Sequence, residues 1–464
     1  MLSKGFLELA RKLIAADTVS SQGTQRAADL LQSLWEHAGL TVRRQVVEEV
    51  HVNLLGGPGG GAQGPGGVLL VTHLDTVPPG PRERWQTDPW TLTERDGFLH
   101  GLGVADVKLD ALCKAEAARR LHGRSARRPF WLLGTFGEEV GLRGARHFTQ
   151  SELFREVAPA QVLCGEPSEL QIISAHKGYV VARCTVRDRK ARPVNTDGPG
   201  VEQLHFAGKA AHSSTPHLGD NAILKALAWV KSSGSAVVAA KGGSGTNVVP
   251  ASCTLEVPAP REKGQPEPQE ATFLPPRPPQ PNLWRALATA SALEELWQRT
   301  LPAGSDPRFD PPGAVGGLNV LESAGGAVSI QLDARLLPGH DPDALVEAFK
   351  AQALAWVAQL GQGELELEIS MERNASGMSL PGDSPLVKSA GAVLARHGLD
   401  PAPRAKPTST EAGVFARAGC EAIVIGPGRS TGNAHTPHER VEMAQLAKAC
   451  DLYESLLVEL CACT

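Results

Sequence analysis

The sequence predicts an α/β domain with a mainly parallel central sheet, split by an inserted α+β unit. Three observations predict it. Four short runs, Val68–Val71, Phe130–Leu133, Val162–Cys164 (after Gln161) and Ala422–Ile425, are continuously apolar rather than alternating, as strands buried on both faces of a parallel sheet are. Helical periodicities separate the first three runs. Further along, β-branched strands and two helices replace that order before it returns. At 464 residues the chain also exceeds what one hydrophobic core usually supports, so two domains are expected.

Each element has its own signal. Met1–Ala16 sets Lys4, Glu8, Arg11 and Lys12 among apolar residues, an amphipathic helix rather than a secretory leader. A helix over 24–38 precedes the first buried strand, and another runs from Val107 to Leu121 directly after Asp106. Lys177–Arg187 reads as a strand, Asn221–Lys231 as a helix, and Thr246–Val257 and Ala327–Leu337 as strands. Pro342–Leu360 is helical, and Glu364–Glu372 alternates apolar with charged residues like a half-exposed strand. Two helices on a four-stranded antiparallel sheet form a compact unit. The helix Ser384–His397 and the strand ending at Gly426 resume the first pattern. Residues 1–179 and 373–464 are therefore assigned to one domain and 180–372 to the insert. Within the insert, the turn-rich stretch near 187–202 and the Pro-, Glu- and Gln-crowded stretch near 258–282 are expected to be solvated and mobile.

Composition narrows the function. Lys and Arg total 46 against 50 Asp and Glu, so no basic excess favours nucleic acid or an anionic membrane. No apolar stretch approaches the roughly 20 residues needed to span a bilayer. Eight cysteines without CxxC spacing suggest reduced thiols in a cytoplasm, with Cys113, Cys164, Cys184 and Cys253 packed in cores.

Ligands of open α/β sheets bind at the strands' carboxyl ends, where His73, Glu138, Glu139 and Glu166 follow the buried runs. A pair of divalent cations sharing one carboxylate needs about five ligands plus an unbound carboxylate as base. The chain supplies such a set. His73 and Asp75 are two apart at a strand end and point to one side, so Asp75 can take the second ring N–H of His73. Asp106 heads a helix after the Gly101-Leu102-Gly103 turn. Glu138 and Glu139 are adjacent and point to different sides, so one can bind metal while the other acts as base. His435 precedes Thr436-Pro437-His438-Glu439, which reads as a capping box with Pro at the first helical position. Each residue has a plainer reading as cap, turn or solvated charge; the joint arrangement argues for a site.

The segments Thr72-His73-Leu74-Asp75-Thr76-Val77-Pro78, Gly101-Leu102-Gly103-Val104-Ala105-Asp106-Val107-Lys108, Gly137-Glu138-Glu139-Val140-Gly141, Gly165-Glu166-Pro167-Ser168 and Asn433-Ala434-His435-Thr436-Pro437 come in this order. Together they resemble the five signatures of the M20 metallohydrolases, which include deacetylases, desuccinylases, aminoacylases and carboxypeptidases. Gly208-Lys209-Ala210-Ala211-His212-Ser213-Ser214-Thr215-Pro216 and Gly219-Asp220-Asn221-Ala222-Ile223 are similar to that family's inserted domain. The resemblance implies a zinc-peptidase-like catalytic domain with a ferredoxin-like lid through which two copies pair. It implies one zinc on His73 and Glu166, a second on Glu139 and His435, and Asp106 bridging both. Cobalt or manganese would also suit carboxylate-rich donors. Glu138 falls on the family's general base and Asp75 on the residue orienting the first histidine. His212 falls on the lid histidine that steadies an oxyanion. Arg335 and Asn247 fall on positions near the substrate carboxylate, and Gly428 opens a loop to Asn433 where specificity is expected. Three departures stand out: Gly137 replaces an acidic residue, Leu109 a glycine, and Ser409-Thr410-Glu411-Ala412 a Gly-Thr-Asp-like motif.

The implied chemistry is hydrolysis of an N-acyl amino acid by a water that the cation pair activates and Glu138 deprotonates. A dipeptidase or carboxypeptidase acting on a short peptide is the alternative, and a non-catalytic binding protein on the same fold the remote one.

Overall fold

A computed structural model describes residues 2–58, 66–196, 200–259, 270–275, 278–361 and 363–463. It divides into two compact units: Met1–His176 with Met378–Thr464, and Lys177–Gly377.

The first unit is built on helices α1 (Lys4–Ala15), α2 (Gln25–His37) and α3 (Lys108–Arg120). Its strands include β1 (Thr41–Val47), β2 (His51–Gly57), β3 (Val68–His73), β4 (Thr93–Arg95), β5 (Phe98–His100), β6 (Phe130–Thr135), β7 (Gln161–Cys164) and β8 (Ile173–His176). Ser3 caps α1 by accepting the Phe6 amide at 3.1 Å, and Phe6, Ala10, Leu13 and Ile14 form its buried stripe at helical spacing. α3 is different: ten of its 13 residues are buried, including Lys108, Asp110 and Lys114. A helix buried nearly all round must satisfy its charged side chains internally.

The main sheet runs β1-β2-β6-β3-β7, then the strand Glu421–Val424, then β8 and Met378–Ser379, with Arg404–Lys406 pairing β8. β3 is parallel to both β6 and β7, and Glu421–Val424 is parallel to β7. The register places His73 beside Thr135, Val71 beside both Leu133 and Cys164, and Cys164 beside Val424. Four strand ends therefore meet at one rim. All six residues of β3 are buried, which is why the sequence shows a run and not an alternation.

Among its described residues, the second unit holds an eight-stranded antiparallel sheet and three α-helices, Ala222–Ser233, Trp284–Thr300 and Pro342–Gly361. This corrects the expectation of four strands and two helices. The helix Trp284–Thr300, whose stripe Ala286, Leu287, Ala290, Leu293 and Trp297 is buried, follows the Pro-rich stretch. The expected mobile stretches also carry paired backbone. Pro193–Val194 pairs with Gln280–Pro281, and Glu270–Leu274 joins Val201–His205 as an edge strand. Its side chains are mostly exposed, so backbone pairing rather than burial defines it. Residues 197–199, 260–269 and 276–277 of those stretches lie outside the described ones. Cys113, Cys164, Cys184 and Cys253 are free and buried, as expected.

Candidate metal centre

The parallel register brings the sequence-selected side chains of the first unit to one rim. His73 ends β3, Glu138 and Glu139 follow β6, and Glu166 follows β7. Asp106 lies just ahead of α3, and it is the centre of the group. His73 Nε2 lies 3.1 Å from Asp106 Oδ1, while His435 Nε2 lies 3.3 Å from Asp106 Oδ2 and 2.9 Å from Glu139 Oε1. One carboxylate thus presents a separate oxygen to each imidazole. Among the described residues, two overlapping sets have ligand-type atoms within 4.8 Å of one another: His73 with Glu138 and Glu139, and Asp106 with Glu139 and His435. Glu166 belongs to neither set, and its Oε2 lies 3.5 Å from Lys406 Nζ. It is still close enough to Asp106, His73 and Glu139 to feel their charge.

The electrostatics follow from this crowding. Burial opposes ionisation of Asp106, but hydrogen bonds and charge from His435 and His73 outweigh it and hold the carboxyl below the usual range. Burial likewise opposes protonation of His435, yet its contacts with Asp106 and Glu139 push it up to about 11. His73 is raised in the same way, burial being overcome by Asp106, Glu138 and Asp75. Burial raises Glu166, with Lys406 opposing. Four carboxylates face two imidazoles, and two divalent cations would balance that charge. Carboxylate and imidazole donors of this kind fit such ions.

Hydrogen bonds around the group fix its geometry. His73 Nδ1 lies 3.1 Å from the main-chain oxygen of Asp75 and 3.7 Å from its carboxylate. Donation to that carbonyl leaves Nε2 directed at Asp106. The Asp75 carboxylate instead accepts the amides of Glu138 at 3.0 Å and Glu139 at 3.3 Å, and the Ser20 hydroxyl at 2.7 Å. This is the support that Gly137, lacking a carboxylate, does not supply. Gly137 has φ of 64°, which suits glycine at the turn.

The expected helix start after His435 is absent, since the next helix begins at Met443. Thr436 instead closes a local turn, donating to the Asn433 carbonyl at 2.7 Å and accepting the His438 amide at 3.2 Å. His435 has φ of 60°, left-handed backbone that histidine adopts sparingly. Glu439, read from sequence as part of the cap, accepts the amides of Gly103, Ala105 and Asp106 at 3.2, 2.9 and 3.1 Å. It anchors the loop that carries Asp106. Burial pushes its carboxyl up to about 7, with Asp106 adding to the rise.

Behind the rim lies a network that the sequence reading passed over. Asp110 accepts Thr72 Oγ1 at 2.7 Å and Tyr453 OH at 2.5 Å, and pairs with Lys114 Nζ at 2.6 Å. Lys114 also donates to the Val71 carbonyl at 2.5 Å, and Tyr453 to that of Ile425 at 2.9 Å. Gly165 has room only for hydrogen here, because a Cβ would sit 2.0 Å from Asp110 Oδ2. The i, i+4 spacing of Asp110 and Lys114 on a buried helix was the available signal. Glu411 is similarly buried, accepts Thr135 Oγ1 at 3.0 Å and is pushed by burial up to about 7. Gly428, with φ of 92°, packs against Ala105 and donates to Gln445 Oε1 at 2.5 Å.

The lid candidates lie together in the second unit. Arg335 is 3% exposed, stacks 3.5 Å from the Tyr179 ring centre and donates to Ser213 Oγ at 3.0 Å. Ser213 N donates to the carbonyl of Asn247 at 2.9 Å, and His212 bridges to Val248. Ser214 N donates to His212 Nδ1 at 3.1 Å, which puts the proton of the neutral ring on Nε2.

Comparison with known proteins agrees with this architecture. The family model described as "Peptidase family M20/M25/M40" matches residues 69–459. An acetylornithine deacetylase of Vibrio vulnificus is 36% identical over 224 residues, covering 47% of this chain and 52% of that protein. The chain thus spans about half the length of the curated relatives it matches. Among solved structures, an M20 family metallo-carboxypeptidase of Sulfolobus solfataricus has a TM-score of 0.63 at 17% identity, covering 99% of this chain and 100% of its own. An aminoacylhistidine dipeptidase of Vibrio alginolyticus has a TM-score of 0.64 at 15% identity, with 99% and 97% covered. At these identities the likeness is one of fold.

Proposed function

We propose, from the premise that this chain belongs to peptidase family M20/M25/M40, that it is a metal-dependent amidohydrolase of N-acyl amino acids, of deacetylase or desuccinylase type. The observation that carries the reading is Asp106, whose two oxygens face His73 and His435 separately. The relatives' name supplies the substrate class.

In this reading His73, Asp106, Glu139, Glu166 and His435 hold two divalent cations, zinc first and cobalt or manganese as alternatives. When bound, such a pair polarises an amide carbonyl and lowers the pKa of a water towards neutrality. Glu138 takes that water's proton and delivers it to the leaving amine. Asp75 holds the Glu138 and Glu139 backbone so that the two carboxylates keep separate tasks. His212 Nε2–H is the donor for the developing oxyanion, a role that could contribute about 3 to 4 kcal/mol if it matches other such donors. Arg335, with Asn247 beside it, meets the substrate carboxylate, and the loop from Gly428 contacts the remaining part of the substrate. The unit Lys177–Gly377 acts as lid and homodimer contact, and the enzyme works in the cytoplasm.

The test is a liberated-amine assay on acetylornithine, succinyl-diaminopimelate and simple dipeptides, with wild type and Glu138→Gln. Acyl amino acid turnover that disappears in Glu138→Gln, at unchanged metal content, is the expected result. Near wild-type turnover in that variant refutes the base assignment, and turnover of dipeptides alone moves the enzyme to the peptidase reading.

A further inference from the structure

A cavity of about 590 Å³ opens within the first unit, and none of the metal-type donors above lines it. Its volume falls in the range of roughly 300 to 1,000 Å³ common for small-molecule sites. The floor is one face of the small antiparallel sheet formed by β4, β5 and the strand Arg440–Glu442. Register decides which side chains share that face. Arg440 stands opposite His100, Glu442 opposite Phe98, and Arg95 opposite Phe98 from the other strand. Directly opposed residues lie on the same side of a sheet. The alternate residues Leu99 and Val441 are buried, as the pleat requires.

One wall is the loop from Gly428 to Asn433, and it is built rather than loose. Asn433 Nδ2 donates to the carbonyls of Arg429 and Arg440 at 2.9 Å each, and its Oδ1 accepts the Arg440 amide at 3.0 Å. Two arginine backbones are thereby tied together at one recess. Arg440 lies 4.5 Å over the Phe98 ring, which holds its planar fork in place. Among the described residues, neither Arg429 nor Arg440 has a carboxylate within ion-pair distance.

The base of the cavity supplies an independent indication. His100 is 8% exposed and lines the cavity, and its ring makes no hydrogen bond to another described residue. Its ring nitrogens are not sealed from solvent, so they are accessible to a ligand in the cavity. Burial, with the nearby charges of Arg95 and Arg440, holds its imidazole below the usual range. Three arginines therefore line the space against two carboxylates, Glu169 and Glu442, in a chain of formal net charge −4.

We propose that this recess binds a small dianion, a dicarboxylate or a phosphate, through the guanidinium forks of Arg429 and Arg440 with His100 at its base. None of the proposed cation ligands lines the recess, although it shares the loop from Gly428 with the substrate contact proposed above. Its test is calorimetric titration of the full-length chain with inorganic phosphate and, separately, with succinate. Saturable binding of either supports the site, and the tighter one identifies the source of the anion. Arg440→Ala should weaken binding about tenfold or more, which corresponds to about 1.4 kcal/mol for a lost charge-assisted contact. Glu442→Gln should tighten it, a change of direction that a merely structural role would not produce. His73→Ala should leave it unaltered. If Arg440→Ala melts early, Arg429→Ala, on an exposed loop residue, carries the same expectation. Neither anion saturating at millimolar concentration, binding indifferent to both arginine variants, or binding lost in His73→Ala would each overturn the proposal.

Discussion

Asp75 organises the centre through the main chain. By accepting the amides of Glu138 and Glu139 it sets the backbone from which two adjacent carboxylates diverge. Lys406 acts in the opposite sense, since its ammonium holds Glu166, a proposed ligand, at 3.5 Å. A cation entering there must displace that contact. Lys406→Met should therefore tighten cation binding, read by calorimetric titration with zinc; weaker or unchanged affinity would contradict the competition. At this scale the sequence was informative where residue type and strand position coincide, as for His73 and Glu139. It was less so for Glu439, because Thr-Pro-His-Glu carries a local capping signature. The competing claim on Glu439, three amides of the Gly103–Asp106 loop, comes from more than 300 residues away in the chain and leaves no local mark.

Among the elements, α3 ties the rim together. Its Asp110 and Lys114 are 0% and 2% exposed at the side chain and connect to Thr72, Val71 and, through Tyr453, Ile425. These are residues at the ends of β3 and just past Glu421–Val424. A buried ion pair is weak evidence of stability, but removing one partner strands the other's charge. Lys114→Met should cost about 3 to 5 kcal/mol of unfolding free energy, measured by denaturant titration. A loss below about 1 kcal/mol, the value of an exposed pair, would show the charges to be solvated instead. The parallel strands were legible because burial on both faces writes a continuous apolar run, as in Val68–His73. Glu270–Leu274 was not, because an edge strand held by backbone pairing need not bury its side chains, and Phe273 is 69% exposed. The helix Trp284–Thr300 carries an ordinary apolar stripe and was overlooked beside the Pro-rich stretch.

The fold of the whole molecule concentrates negative charge at one rim of the first unit. Four carboxylates gathered with two imidazoles repel one another, and protonated imidazoles relieve this when no cation is bound. Cations that bind only the folded state stabilise it by mass action, by about 2.7 kcal/mol at a hundredfold excess over the dissociation constant. Chelation should accordingly lower the melting temperature, and zinc should restore it; a melting curve indifferent to both would mean that the cluster binds no cation. No helix among the described residues is long and apolar enough to cross a membrane. The most direct test of the shared-carboxylate centre is the metal content of zinc-equilibrated protein, counted per chain by native mass spectrometry for wild type and Asp106→Ala. Two ions in the wild type and none retained tightly in Asp106→Ala is the predicted result. Two ions held equally well by both would contradict it.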